Sequence, residues 1–494
     1  MTELVELDVL TDSLPEADIL IAGCFEGEAP SHGGLPAELT RAARQASGRP
    51  GFAGREKQAV EVTVGDGAAV GAVAVSGLGP RGEADPRRIA TWLERCLEAL
   101  RINGVERAVV ALPDAPATRG AAAAERLACR LALGRYAYDR YKDEADSGGP
   151  IRLRRLGIVP PPGQVDAYRG ALPAARAIAE GIAHTRDLAN TPANVAYPSW
   201  MTERAGELAE AAGMEIRVFE PPELEERGMG GILAVGCGST RPPRLVRMAW
   251  GSEGPVVALV GKGVTFDTGG ISIKPSARLD EMKYDKAAAC TVLGVARAVT
   301  RLELPVRLRL YLPFAENMPD GAAYRPGDII RCYNGKSVEV MNTDAEGRLI
   351  LADALSLAVE EGPDVLLEYS TLTGACIVAL GPYGAGLFTP DDDLARELLG
   401  AAEDGGERLW RLPLWEEFSE EMRGIHADLK NTGTRWGGAC TAAAFLANFL
   451  GEHRRWAHMD IAGPAQLPRE ANGSQGATGY GVALTVGWLR RLAS

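Results

Sequence analysis

From about residue 191 onward, short apolar runs that read as strands alternate with longer runs of helical composition. LVRMAW, VVALVGKG, VRLRLYLPFA, DVLLEYS and WAHMDIAG are the strand-like runs, and KAAACTVLGVARAVTRL, EGRLILADALSLAVEE and CTAAAFLANFLGEH the helical ones. Apolar strands interleaved with helices in this way imply a sheet covered by helices on both faces. Residues 1–160 show a similar alternation, with DILIAG, AVEVTVG, GAVAVSG and ERAVVALP as strands and PRRIATWLERCLEALR and GAAAAERLACRLALGRYAYDRY as helices. That stretch closes on Pro160-Pro161-Pro162-Gly163, a boundary signal. The expected fold is α/β: a smaller N-terminal α/β domain (1–160) joined by a connecting helix (164–190, interrupted by Pro173) to a larger C-terminal α/β domain (191–494) with a mixed central sheet flanked by helices.

Composition narrows the chemistry. With 494 residues, 46% hydrophobic and 24% charged, the chain is not disordered, collagenous or a disulfide scaffold. Lys+Arg 53 against Asp+Glu 66 gives a net charge of −13. Up to residue 160 there are 20 basic and 23 acidic residues, leaving 33 and 43 beyond it, so the two parts carry −3 and −10. Neither part is a basic nucleic-acid footprint. Only five histidines occur, so any metal chemistry must lean on carboxylates. The eight cysteines show no CxxC spacing and mostly sit singly in apolar stretches, which reads as buried reduced thiols. The N-terminus is acidic where a signal peptide is basic, and no run approaches the ~20 apolar residues of a membrane span, so a cytoplasmic protein is expected.

Several motifs fail on inspection. Gly77, Gly79 and Gly82 fit GxGxxG, but the acidic residue due ~20 positions later at a strand end is missing, and a tight strand-to-helix turn explains the glycines. Lys262 in VGKG lacks the earlier glycine of a phosphate loop, and HExxH and GxSxG do not occur. His453 and His458, five apart at a helix-to-strand junction, read as structural.

Three segments remain. VVALVGKGVTFDTGGISIKP places Lys262, Asp267 and Lys274 just beyond an apolar strand, where open α/β sheets bind ligands. LDEMKYDKAAAC places Asp285 before an Ala-rich helix, and MNTDAEGRLILADAL offers Asp344, Glu346 and Arg348 within five residues. Taken singly, Asp285 is explained as an N-cap and Thr343-x-x-Glu346 as a capping box. Together they bring four carboxylates to one end of a sheet, and such a cluster cannot stay fully ionised without cations. Two divalent ions ~3.5–4 Å apart would satisfy it.

These residues resemble the leucyl aminopeptidase family of cytosolic dinuclear-metal enzymes. NTDAEGRL (342–349) matches that family's signature, and VGKGVTFDTGGISIKP, MKYD, ENMP, YRPGDII, TLTGAC, RWGGACTAAAFL, WAHMDIAG and GATGYGV follow the family order over roughly residues 178–494. The first 160 residues resemble the family only in length and general α/β character. By position, the resemblance implies Lys262, Asp267, Asp285, Asp344 and Glu346 as metal ligands. Asp267 and Glu346 would bridge both ions, Lys262 and Asp285 would complete one site, and Asp344 the other. Lys274 and Arg348 match the two catalytic positions; Met282, Thr371, Leu372 and Gly374, and more weakly Ala477, match the pocket for the first residue. Lys286-Ala287-Ala288 and Glu368-Tyr369-Ser370 depart from the usual family residues beside these positions.

The implied activity is release of an N-terminal residue, Leu, Met or another mainly apolar one, from peptides with a free N-terminus. Two cations, Mn²⁺ or Zn²⁺ first among the candidates, would acidify a water and polarise the carbonyl. The free α-amine would bind one ion, restricting cleavage to the first residue. Lys262 as a ligand must be neutral, whereas Lys274, further from the ions, can stay charged toward a developing oxyanion. A bicarbonate held by Arg348 is implied as general base, its planar shape suiting the guanidinium. A homohexamer is implied by resemblance alone. A two-metal phosphoesterase is the rival within enzymes, disfavoured by Lys262 and the TLTG turn. The other alternative, a DNA-binding accessory role, has only Arg152, Arg154 and Arg155 as a basic patch, so nucleic acid is not an expected partner.

Overall fold

A computed structural model describes residues 3–11, 14–30, 32, 35–64, 69–143, 151–467 and 476–493. The chain divides into two compact units, residues 1–180 with 404–406, and residues 181–403 with 407–494. The helix Val165–Asn190 carries the chain from the first unit into the second, with Pro173 inside it.

In the first unit, six strands lie in the order Glu6–Val9, Arg155–Val159, Arg107–Ala111, Ala17–Phe25, Val70–Gly79, Ala59–Thr63. All neighbours run parallel except the last pair. Leu20, Ala22, Val73, Val75 and Val109 pack with Leu39, Ala43 and Ala46 of helix Ala37–Ser47 in one core. The long helical expectation over 120–141 stops at Ala132 and passes through a single tight turn, Leu133–Arg135. Gly77 proves to be a packing glycine: a Cβ there would stand 1.9 Å from the Arg55 carbonyl oxygen. In the Arg152 patch, Arg154 pairs with Glu106 at 3.3 Å and Arg155 with Glu6 at 3.1 Å, so its charge is largely offset within the unit.

The second unit holds a nine-stranded mixed sheet. Its four central strands, Trp456–Asp460, Val365–Ser370, Val256–Gly261 and Arg307–Asn317, run parallel, and Gly263–Asp267 adds to the end of Arg307–Asn317, also parallel. Strand alternation sends Leu366 into a core with Leu349, Leu355 and Phe445 of helices Gly347–Glu360 and Gly438–Ala447. Tyr369, three residues on and pointing the opposite way, bonds Thr485 of helix Val482–Leu492. Helices therefore cover both faces, as the apolar strands required. Parallel strands bring their carboxyl ends to one edge, so Lys262, Asp267, Asn317, Thr371 and Asp460 emerge together.

All eight cysteines are free; seven are buried, and Cys237 is the exposed exception to the expected pattern. Among the described residues, no helix is long and apolar enough to cross a membrane.

Candidate active site

Both simple explanations of the acidic motifs fail locally. Asp285 lies in the 3₁₀ segment Leu279–Lys286, and the following helix is capped by Lys286 without a side-chain bond. Glu346 does occupy the cap position of helix Gly347–Glu360, but its side chain makes no capping bond, and the Thr343 hydroxyl goes to the Gly269 carbonyl. The carboxylates turn inward instead.

Lys262 is the hub of one half. Its Nζ stands 2.7 Å from Asp285 Oδ1 and 2.8 Å from Glu346 Oε1, and donates to the Thr371 carbonyl at 3.0 Å. In the other half, oxygens of Asp267, Asp344 and Glu346 lie within 4.8 Å of one another. Glu346 thus joins the two halves. Lys274 Nζ is 2.8 Å from Asp267 Oδ2 and also pairs with Asp344. It therefore stands directly against these carboxylates, because an ammonium is drawn to clustered anions.

The electrostatics follow from burial and mutual repulsion. Burial raises Asp267 above the usual carboxylate range, reinforced by Glu346 and Asp285. Burial pushes Asp285 up to about 6 against the pull of Lys262. Glu346 is held low despite burial, because Lys262 and Lys274 face it. Burial alone would lower Lys262, but Asp285, Glu346 and Asp267 raise it. Four carboxylates and two lysines leave an anionic pocket that favours further cations. Asp285 Oδ2 is buried with no hydrogen-bond partner among the described residues, a free ligand atom pointing to the same conclusion. The donor set, oxygens with one amine nitrogen, suits Mn²⁺, Zn²⁺ or Mg²⁺, and a cation would oppose the field that keeps Lys262 protonated.

Arg348, the second residue of its helix, is buried and donates to the Asn431 carbonyl at 2.7 Å, leaving Nε without a partner. Burial lowers the guanidinium to about 10, with Glu346 and Asp460 opposing, so it is still a cation with spare donors for an anion.

The pocket residues are partly gathered. Thr371 donates to Asp285 Oδ1 at 2.7 Å, and Met282 shares Asp285's 3₁₀ segment. The Leu372 amide donates to Asp460 Oδ1 at 3.2 Å, while Thr373 caps helix Gly374–Leu380 and donates to Asp460 Oδ2 at 2.6 Å. Ala477 is held instead by Asn190 at 2.9 Å and by strand pairing with Gln466, whose amide reaches Glu281 at 3.0 Å. Its bonds do not reach the carboxylates.

Sequence reasoning passed over three positions. Asn317 bridges Asp267 Oδ1 at 2.8 Å and the Thr343 carbonyl at 3.0 Å; Tyr324 donates to the same carbonyl at 2.8 Å; and Asp460 organises the 372–373 turn. A polar residue closing an apolar parallel strand was the available signal for Asn317 and Asp460. His458 is structural as expected: buried, it bonds Glu368 on the adjacent strand and stacks on Phe388 at 5.4 Å.

A buried carboxylate centre at the carboxyl edge of a doubly covered sheet suits a metal-dependent hydrolase. Known proteins give the class its name. The catalytic-domain pattern of the cytosol aminopeptidase family matches residues 183–486, and its N-terminal-domain pattern matches 21–145. The chain belongs to the cytosol aminopeptidase family, whose members are metal-dependent aminopeptidases. A probable cytosol aminopeptidase of Syntrophotalea carbinolica is 40% identical over 96% of this chain and 97% of its own. One from Cenarchaeum symbiosum is 42% identical over 88% and 89%. Among solved structures, the bottromycin maturation enzyme BotP in complex with Mn is 37% identical, with TM-score 0.83 over 97% of this chain and 100% of its own. A tomato leucine aminopeptidase mutant is 31% identical, with TM-score 0.85 over 99% and 97%. The N-terminal match corrects the view that the first 160 residues share only length and general character with the family. Its strands are plain apolar runs without chemistry-bearing residues, a pattern too general to be recognised by motif alone.

Proposed function

We propose that this chain is a dinuclear-metal aminopeptidase of the cytoplasm that removes Leu, Met and other mainly apolar residues from peptide N-termini. Residues 191–494 would form the catalytic domain, 1–160 a separate N-terminal domain and 164–190 the connecting helix; family likeness also favours a homohexamer. The observation that carries this reading is the position of Glu346 between Lys262, at 2.8 Å, and the Asp267 and Asp344 carboxylates.

Lys262, Asp267, Asp285 and Glu346 would hold one cation and Asp267, Asp344 and Glu346 the other. Two such cations, Mn²⁺ or Zn²⁺, supply Lewis acidity for an amide carbonyl and lower the pKa of water. Thr371 fixes one oxygen of Asp285, so the other is free to act as a ligand. Lys274, cationic and less buried than Lys262, Asp267, Asp285 and Glu346, faces negative charge developing on the carbonyl oxygen. Arg348 offers its unpartnered Nε to bicarbonate as general base. Met282, Thr371, Leu372 and Gly374 shape a first-residue pocket, where one methylene changes binding by only ~1–3 kcal/mol and selectivity is accordingly broad.

The test compares a leucine-first peptide with its amine-blocked counterpart, with metal analysis of the same sample. Cleavage of the free-amine peptide alone is expected. Equal cleavage of both, or faster hydrolysis of a phosphodiester, would remove the reading.

A further inference from the structure

Asn431 follows the short strand Leu429–Lys430, which pairs parallel with Ser337–Glu339, and its own amide donates to the Glu339 carbonyl at 3.0 Å. The residue is fully buried. Its Oδ1 accepts from the amides of Met341 at 2.8 Å and Asn342 at 3.3 Å. Its Nδ2 donates to the carbonyls of Asn342 at 2.7 Å and Ala345 at 3.4 Å. An Asn side chain has two donors and two acceptor directions, and here all four go to the loop that carries Asp344 and Glu346. The backbone carbonyl of the same residue accepts from Arg348 at 2.7 Å.

We propose that Asn431 is a positioning residue that sets the 341–345 loop and the Arg348 guanidinium in one register. Glycine, serine or alanine cannot span these groups, and the loop has little apolar packing to hold it, Met341 being about half exposed. The loop's shape at the site therefore rests on polar contacts: Asn431 on one side, Asn317 and Tyr324 on the Thr343 carbonyl on the other. The inference rests on the reading of Asp344, Glu346 and Arg348 as working groups.

Its test uses the full-length protein carrying Asn431→Ala, Asn431→Asp, Arg348→Ala and the Asn431→Ala/Arg348→Ala pair. Steady-state kinetics with leucine p-nitroanilide on metal-loaded enzyme are set beside calorimetric titration of the chelated protein with Mn²⁺ alone. Misplacement of about 1 Å costs up to ~100-fold, so Asn431→Ala is expected to lower kcat about 10- to 100-fold with KM nearly constant. Mn²⁺ affinity should fall in parallel, and the loss in kcat should shrink in the Arg348→Ala background. Asn431→Asp, of equal size, should fall the same way, because its second oxygen would face the Asn342 and Ala345 carbonyls; it carries the test if the alanine variant does not fold. Wild-type kcat and Mn²⁺ affinity in a folded Asn431 variant with only a lowered Tm would overturn the proposal, as would losses that multiply independently with Arg348→Ala. Full activity in Arg348→Ala alone would instead remove the underlying reading of the site, and the proposal with it.

Discussion

Gly347 and Lys262 occupy each other's space: a Cβ on Gly347 would stand 2.5 Å from Lys262 Cε and 2.7 Å from its Nζ. The glycine of NTDAEGRL is there because the buried lysine passes over the first turn of the helix. Gly347→Ala is thus expected to push Lys262 off Asp285 and Glu346, since a lysine held by two carboxylates and a carbonyl has no free room to yield. We expect kcat/KM to fall by about 10- to 100-fold with weakened metal binding, read by kinetics and metal analysis of the dialysed protein. Retention of both would mean that Lys262 has slack the geometry does not show.

Lys274 tests the division of labour between the two lysines. Lys274→Ala removes a cation beside Asp267 and Asp344 without deleting a ligand. The expected result is a kcat loss of about 10²–10³, the usual range for removing one oxyanion donor, with metal content intact. Loss of metal instead would make Lys274 part of the binding shell.

Asp353 lies on the same helix as Arg348, five residues further on, and underpins it. Fully buried, it accepts from the amides of Ile232 at 2.9 Å and Tyr333 at 2.8 Å, tying helix Gly230–Gly236 to the helix that begins at Gly347. Asp353→Ala would orphan the buried Ile232 amide and the partly buried Tyr333 amide, and a buried unpaired amide costs about 1–3 kcal/mol. A drop of roughly 2–4 kcal/mol in unfolding free energy is expected by denaturant titration. A change below ~0.5 kcal/mol would show that water replaces the carboxylate at no cost.

His184 gives the stability an acid limb. Burial, with Arg297 nearby, lowers its pKa from 6.5 to about 4, and its Nε2 has no partner among the described residues. Between those values the unfolded chain binds a proton that the folded one refuses, so stability present above pH 6.5 is lost as pH falls through 4. The loss is up to about 3 kcal/mol. His184→Asn should flatten the fall of Tm over that interval relative to wild type; an unchanged slope would place the acid sensitivity elsewhere.

Much of this arrangement was legible in the sequence because its signals were strong ones. The buried parallel strands were recognisable as apolar runs, and Asp267, Asp285, Asp344 and Glu346 stood out as charges where apolar patterns end. What stayed hidden depends on long-range geometry. Asn317, Asn431 and Asp460 act through contacts 50, 89 and 88 residues away in the chain; a strand end marks Asn317 and Asp460 as polar positions, but nothing local names their partners. The strands Glu215–Phe219 and Leu409–Arg411 were missed because at the sheet's edges they are exposed and carry no apolar run.

Glu346 is the group shared by both halves of the site. Its most direct test is the metal content and leucine p-nitroanilide activity of Glu346→Ala, measured after exhaustive chelation and reloading with Mn²⁺ beside the wild type. Two ions per subunit with full activity are predicted for the wild type, and loss of metal with abolished activity for the variant. Full activity in chelated Glu346→Ala would contradict the dinuclear account.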